Sequence, residues 1–339
     1  MIDNMNLKAS APVIIAIIFI ALVIGGEMII ATSTHDDFSC EIRAEGGSII
    51  IDVDADGSHQ LNAISMNGSY GRPDKVYIYY DATYESEYDD VQVAVGARPL
   101  SESYYVKMVK ESLRVRDITD VEFVDAESIA DVVASDGRDI AIVFVSGTFP
   151  DTIYDGTSDS QIIRWIESGG RLYWVGNIIG KYISHQDSVE SVDNGTTLFL
   201  GSECIDDEIV DSFDKYLDNG LTEALSIINN RTRYSVIVDK LPSDSVYNAF
   251  GYTDGERYST ILIEKGDGCI AIFGGVYTDY QRIDLAQVIA SGISPDTEIV
   301  DSYEGPTHGK ASVSLMIGER VYAYLGGDLV VYGKLQEVF

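Results

Sequence analysis

The sequence predicts a mixed α/β fold. A mostly parallel sheet with flanking helices is joined to a small β module built from both chain ends, after one N-terminal transmembrane helix. Three observations carry this reading. Between Lys75 and Ile293, short apolar runs alternate with segments of helical periodicity, the pattern of a parallel sheet with right-handed crossovers. The segments Ser48–Met66 and Thr297–Phe339 are β-like throughout. Residues Ala9–Gly26 form an uncharged, strongly apolar run. The expected boundaries are 1–9 for a cytoplasmic leader, 10–33 for a signal anchor and 34–73 for a linker and β-hairpin. Residues 74–293 form the α/β domain and 294–339 the C-terminal strands.

At about 1.5 Å per residue, the Ala9–Gly26 run reaches roughly 27 Å, close to the thickness of a hydrocarbon core. Glu27 follows, and Met28–Ala31 let the helix extend to about Ser33. Lys8 precedes the run and Asp36 and Asp37 follow it, which places the N-terminus inside and the rest outside. The membrane is thus one expected partner. A cleaved signal peptide is the alternative, with Ala31-Thr32-Ser33 as the small-x-small pattern. For an exported domain, Asn67, Asn194 and Asn230 head Asn-x-Ser/Thr triplets and are glycosylation candidates.

Charge narrows the partners. The 339 residues include 55 acidic and 23 basic side chains, a net charge of −32. That excludes nucleic acid, whose phosphates need clustered Lys and Arg. The remaining partner expectations are an envelope protein or a glycan. Cysteine is present three times, at Cys40, Cys204 and Cys269, so no disulfide framework is indicated. Cys204 with Cys269 is the pair considered, and buried thiols are the other reading.

Along the exported region, Ser48–Val53 and Gln60–Met66 flank Asp56-Gly57, a hairpin signal. Asn67–Pro73 is a linker. Lys75–Tyr80 is a strand, and Ser101–Val115 a helix with Tyr105, Met108, Val109 and Leu113 on one face. Val121–Val124 is a strand and Ala126–Ala134 a helix. Asp139–Val145 is a continuous apolar run, suited to a strand buried on both faces. Ser158–Glu167 is a helix closed by Gly169-Gly170, and Arg171–Val175 the next strand. Asp206–Leu217, Leu221–Ile228 and Asp279–Ala290 read as helices. Ser235–Val238, Tyr258–Ile263 and Cys269–Phe273 read as strands, the last two joined by a turn at Gly266-Asp267-Gly268. A second hairpin turn is expected at Gly326-Gly327-Asp328.

The stretch Asp139–Gly180, DIAIVFVSGTFPDTIYDGTSDSQIIRWIESGGRLYWVGNIIG, resembles the central unit of the class I glutamine amidotransferase-like superfamily. There a strand ends in a small-residue loop, a helix closes on Gly-Gly, and the next strand runs into a tight turn. Ile261–Gly275 resembles the superfamily's returning hairpin and Tyr280–Gly292 its last helix. The resemblance implies a flavodoxin-like or amidotransferase-like domain over Lys75–Ile293. Its active members carry a nucleophile in a Gly-x-Cys-x-Gly turn. The matching stretch here is Gly176-Asn177-Ile178-Ile179-Gly180, without cysteine, and the expected His-x-Glu partner is replaced by His185-Gln186-Asp187. The superfamily's chemistry is therefore not implied. Lys8–Ile14 and the following apolar run resemble the start of archaeal type IV pilin-like proteins, which are cut before the helix, here after Ala9, although the usual glutamate is absent.

Candidate sites follow. Asp52, Asp54 and Asp56 with Gly57 have the spacing of half a Ca²⁺ loop, but Ala63 stands where the closing Glu belongs. A Ca²⁺ site and a solvated turn are the two readings, and no other cofactor is expected. Asp81, Ser146, Thr148, Gly176 and Asn177 fall at the carboxyl ends of parallel strands, where open α/β sheets bind ligands, or serve as ordinary loop residues. The four histidines, His35, His59, His185 and His308, are scattered, and no triad or other catalytic residue is expected. Tyr77, Tyr79, Tyr80, Tyr84 and Tyr88 cluster, as binding aromatics or half-buried strand residues. The function expected is a membrane-anchored, outward-facing, non-catalytic binding or cell-envelope protein. The alternatives are a carboxylate-dependent hydrolase or transferase acting on a small polar or glycan substrate, and a pilin-like filament subunit.

Overall fold

The computed structural model describes residues 27–34, 38–86, 102–210, 212–213, 215–217, 220–274, 279–325 and 328–334. The Ala9–Gly26 run, its pilin-like start, Tyr88 and Gly326-Gly327 lie outside them. The chain divides into two compact units, one comprising residues up to Ser65 and from Tyr303, the other Met66–Ser302.

The elements in chain order begin with β1 (Glu27–Thr34), β2 (Phe38–Glu45) and β3 (Ser48–Asn67). Next are β4 (Lys75–Tyr79), α1 (Glu102–Arg114), β5 (Val121–Val124), α2 (Ser128–Val133) and β6 (Ile140–Phe144). They are followed by β7 (Phe149–Pro150), α3 (Gln161–Glu167), β8 (Arg171–Trp174), β9 (Tyr182–Ser184), β10 (Val189–Ser191) and α4 (Gly195–Leu200). The second half of this unit holds β11 (Ile205–Asp206), β12 (Lys215–Tyr216), α5 (Leu221–Ala224), β13 (Ser235–Ile237), β14 (Tyr247–Thr253), β15 (Arg257–Lys265), β16 (Gly268–Ile272) and α6 (Asp279–Ser291). The chain closes with β17 (Glu298–Met316), β18 (Arg320–Leu325) and β19 (Asp328–Lys334).

In the first unit, β1, β2, β3, β18 and β19 form a sheet in that order, with β17 also on β3. Its core is alternate residues: Cys40, Ile42 and Ala44 of β2 meet Ile49, Ile51 and Val53 of β3. Two expectations are corrected here. Glu27–Thr34 is a strand paired antiparallel with Ser39–Glu45, so no helix extends to Ser33. Its run of Ile, Ala and Thr satisfies its backbone through this ladder. Among the described residues, no helix is long and apolar enough to cross a membrane.

The second correction is the hairpin expected at Asp56-Gly57. Residues 48–67 form one continuous strand. A two-residue type I′ turn needs positive φ at both central positions. Gly57 has φ 118°, but Asp56 is not among the positive-φ residues. The hairpin is made instead at Gly46-Gly47, with φ 59° and 85°, between Glu45 and its partner Ser48.

The second unit is a mixed α/β layer. Its parallel strands run in the order β5, β4, β6, β8, β16, and antiparallel β15, β13, β11 and β14 extend the β16 edge. Ala141–Phe144 and Leu172–Trp174 are fully buried because helices cover both faces of such a sheet. Aromatic rings fill the core near the carboxyl ends: Phe149 lies 4.5 Å from Trp174, 4.9 Å from Phe144 and 5.0 Å from Phe199 between centroids. The helix expected over Asp206–Leu217 does not form. Ile205–Asp206 pairs with β13, Val210 bridges Thr232 and Lys215–Tyr216 pairs with β14. The Asp206 carboxylate takes the Glu208 amide at 3.0 Å, a local bond that competes with the helical ladder. Likewise α5 stops at Ala224, with Ser226 at φ 50°.

One buried carboxylate has a consequence for pH. Asp284 of α6 is 1% exposed and accepts the amides of Ile228 at 3.1 Å and Asn229 at 2.8 Å. Burial pushes its carboxyl up to about 7, against the lowering effect of those amides and of Arg116. A raised folded value means the folded state holds a proton that the unfolded chain has released. This contribution is full below the ordinary carboxylate range and is lost as pH rises through about 7. The melting temperature is therefore expected to fall between pH 5 and pH 8. In Asp284→Asn that component of the slope should vanish; identical slopes in thermal melts of the two proteins would refute the assignment.

Candidate functional site

Strands β4, β6 and β8 are parallel neighbours, so the loops leaving them share one edge. Asp81, Ser146, Thr148, Gly176 and Asn177 are all on that edge, and the structure shows what each does there. Asp81 Oδ1 accepts the Thr83 amide at 2.9 Å and its hydroxyl at 2.7 Å, while Oδ2 accepts the Ala126 amide at 3.1 Å. It thereby ties the exits of β4 and β5 together. Ser146 Oγ donates to the Thr148 carbonyl at 3.0 Å, and Thr148 Oγ1 to the Glu85 carbonyl at 3.4 Å. Asn177 Oδ1 accepts the Ile178 amide at 2.8 Å, and its carbonyl accepts Trp174 Nε1. Gly176 lets the β8 exit touch Gly147.

A different group on this side carries ionisable chemistry. β7 and β9 are parallel, with Pro150 opposite Ser184, so Asp151 and His185 leave the two strands side by side. The Asp151 amide donates to the Ser184 carbonyl at 3.0 Å. His185 Nδ1 lies 2.7 Å from Asp151 Oδ2, and its Nε2 lies 3.6 Å from Glu190 Oε2 on β10. Tyr84, in the loop after β4, donates to Asp151 Oδ1 at 3.2 Å. Burial, then the charge of Asp151 and that hydrogen bond, raise the Tyr84 phenol. His185 is 34% exposed, Asp151 42% and Glu190 68%, so water and small solutes reach all three. With the Asp151 carboxylate as acceptor, the Nδ1–H tautomer satisfies this contact and Nε2 is the nitrogen that faces Glu190. The histidines stay scattered as expected, and His185 is the one that meets carboxylates from neighbouring strands. His59 and His308 fall in the first unit, and His35 lies outside the described residues.

The other candidates resolve as follows. Asp52, Asp54 and Asp56 lie on one strand, where alternate residues are spaced by roughly 7 Å and cannot converge on an ion. Asp52 binds Arg43 at 2.5 Å instead. Among the described residues, no group of three or more His, Cys, Asp or Glu could hold a metal ion. All three cysteines are free and buried, so Cys204 and Cys269 are not bonded. Burial pushes Cys40 and Cys269 up to about 12 and also raises Cys204, which leaves thiols and no nucleophilic thiolate. Asn67 ends β3, Asn194 is exposed at φ 59°, and Asn230 donates to Ser212 at 2.9 Å. Tyr79 is buried, while Tyr77, Tyr80 and Tyr84 are half-buried.

No protein-family model and no curated protein matches the chain. Among solved structures, it is similar to an exo-β-1,4-mannosidase from Opitutaceae bacterium strain TAV5 at 12% identity and a TM-score of 0.40, over 66% of this chain and 37% of that one. It is similar to a β-galactosidase from Rahnella sp. R3 at 13% identity and a TM-score of 0.39, over 76% of this chain and 41% of that one. A cytoplasmic protein from Salmonella typhimurium LT2 aligns at 10% identity and a TM-score of 0.32, over 65% of this chain and 99% of that one. The chain thus spans about two fifths of the length of these glycosidases, and likenesses of this size assign it no activity. They do correct two expectations. The enzymes among these structures are glycosidases where amidotransferases were expected, and the Asp139–Gly180 resemblance finds no support among them. Its strand–loop–helix–strand order is what a parallel crossover requires in any such sheet, and a helix stop at Gly is common to many folds. The non-catalytic reading is likewise left without support: the enzymes among these structures are glycosidases, and the sheet edge bears a histidine between two carboxylates.

Proposed function

We propose that the chain is a carboxylate-dependent hydrolase or transferase acting on a small polar or glycan substrate, with His185 as its proton-transfer group. The observation that carries this reading is His185 held at 2.7 Å by Asp151 with Glu190 at 3.6 Å on the other ring nitrogen, all open to solvent. Asp151 orients the imidazole and stabilises the imidazolium that forms when Nε2 takes a proton. Glu190 offers a second carboxylate beside the transferred proton. A panel of 4-nitrophenyl glycosides and acyl esters, incubated with the full chain, tests it. Turnover of at least one substrate, lost in His185→Gln, is expected. No turnover across the panel, or full turnover in the variant, overturns the reading.

The apolar Ala9–Gly26 run with Asp36 and Asp37 beyond it supports attachment to a membrane with both folded units outside. Protease added to intact cells is expected to digest these units; complete protection would reverse the orientation.

A further inference from the structure

A cleft of about 560 Å³ opens in the second unit, between the β8 exit, the start of α4 and strands β11 and β13. Neither Asp151, His185, Tyr84 nor Glu190 lines it. Lys181, which does, precedes β9, and His185 follows it, so the two stand at opposite ends of the strand, roughly 13 Å apart along it. This is a separate site in a size range typical of small-molecule pockets.

Its lining carries both signs of charge. The cleft is lined by Lys181 and Lys240 and by Asp193, Glu203, Asp206 and Asp207. In this acidic chain, the cations Lys75, Lys265, Lys310, Arg43, Arg114, Arg138, Arg164, Arg171 and Arg257 all lie within 4.0 Å of a carboxylate, while Lys107, Lys110, Arg231 and Arg233, scattered outside this cleft, form no ion pair among the described residues. Lys181 and Lys240 form no ion pair among the described residues, although four carboxylates share their cleft. Lys181 Nζ instead lies 5.2 Å over the Tyr182 ring. Glu203 and Asp206 are already engaged, by Thr197 at 2.6 Å and the Glu208 amide at 3.0 Å. Asp193 and Asp207 have no side-chain partner among the described residues. The cleft thus offers two uncommitted cations and two uncommitted acceptors over an aliphatic lining of Ile178, Ile205 and Ile237.

We propose that this cleft binds an acidic sugar. Its carboxylate is held by the Lys181 and Lys240 ammonium groups, its hydroxyls donate to Asp193 and Asp207, and its C–H face lies on the isoleucines. A simple anion would use only the lysines and face four carboxylates unaided. A neutral sugar would leave the lysines unpaired. A ligand carrying both an anionic group and several hydroxyl donors can engage the two lysines and the two free carboxylates at once.

Calorimetric titration of the full chain with sodium D-glucuronate, D-glucose and inorganic phosphate tests this. Glucuronate is expected to bind at least about tenfold more tightly than either of the others. The double variant Lys181→Met/Lys240→Met, with an unchanged melting temperature, should lose that preference. His185→Gln should keep it, which separates this site from the proposed catalytic group. Absence of saturable glucuronate binding, equal affinity for phosphate or glucose, or a preference that survives in the double variant overturns the proposal.

Discussion

Gly176→Ala is expected to destabilise the second unit by about 3 kcal/mol or more, the range of severe overpacking. A Cβ at this position would stand 2.1 Å from the Gly147 nitrogen and 2.2 Å from its Cα. Both atoms are backbone, so no side chain can swing aside. Gly147 is itself held at φ 76° in the loop leaving β6, and the Val175 amide bonds the Phe144 carbonyl at 2.9 Å just before the contact. Relief would require the exits of β6 and β8 to separate at the ring stack of Phe144, Phe149 and Trp174. Gly57→Ala is the comparison: its φ is 118° but nothing lies within 4 Å of the added carbon, so it carries only a conformational cost of about 1 kcal/mol. Thermal or urea unfolding measures both. Equal losses in the two variants would mean that the Gly176–Gly147 contact does not constrain the loops.

That contact also shows what the sequence reveals and what it conceals. The strands of the parallel sheet are legible because burial on both faces leaves near-continuous apolar runs: Ile140–Phe144 and Arg171–Trp174 lie where such runs predict them. The positions of Ser146, Thr148, Gly176 and Asn177 at the sheet edge follow from the same reading. The use of those residues does not. Their polar atoms hold loop to loop, and the partners, such as Glu85 for Thr148, come from distant loops. Asp56-Gly57 misleads for a local reason. A turn dipeptide signals a hairpin only if both φ angles go positive, and here β3 stays extended past it as one strand, with β2 paired up to Ala55 and β17 also on β3. Asp206–Leu217 misleads because short antiparallel pairings with β13 and β14 outcompete a weakly periodic helix. Asp151 and His185 are 34 residues apart and meet through the two-residue register of β7 on β9. No spacing rule encodes that register; the only trace is that each residue directly follows a short apolar segment.

Substitution of the His185 group is expected to give the largest effect on turnover. His185→Gln should lower kcat by about 100-fold or more, the range for loss of a positioned proton-transfer group. Asp151→Asn should cost nearly as much, since an amide can donate as well as accept and no longer dictates which ring nitrogen carries the proton. Because the two act as one unit through the 2.7 Å contact, the double variant should lose little beyond the worse single one. Glu190→Gln should have a smaller effect, since its oxygen stands 3.6 Å from Nε2 and is 68% exposed. All three side chains are solvent-exposed to a third or more, so melting temperatures should change little and the kinetic losses cannot be ascribed to unfolding. Losses of Asp151→Asn and His185→Gln that multiply in the double variant would show two independent groups. In that case the geometry would be a surface ion pair, and proton transfer would have to be sought elsewhere on the sheet edge.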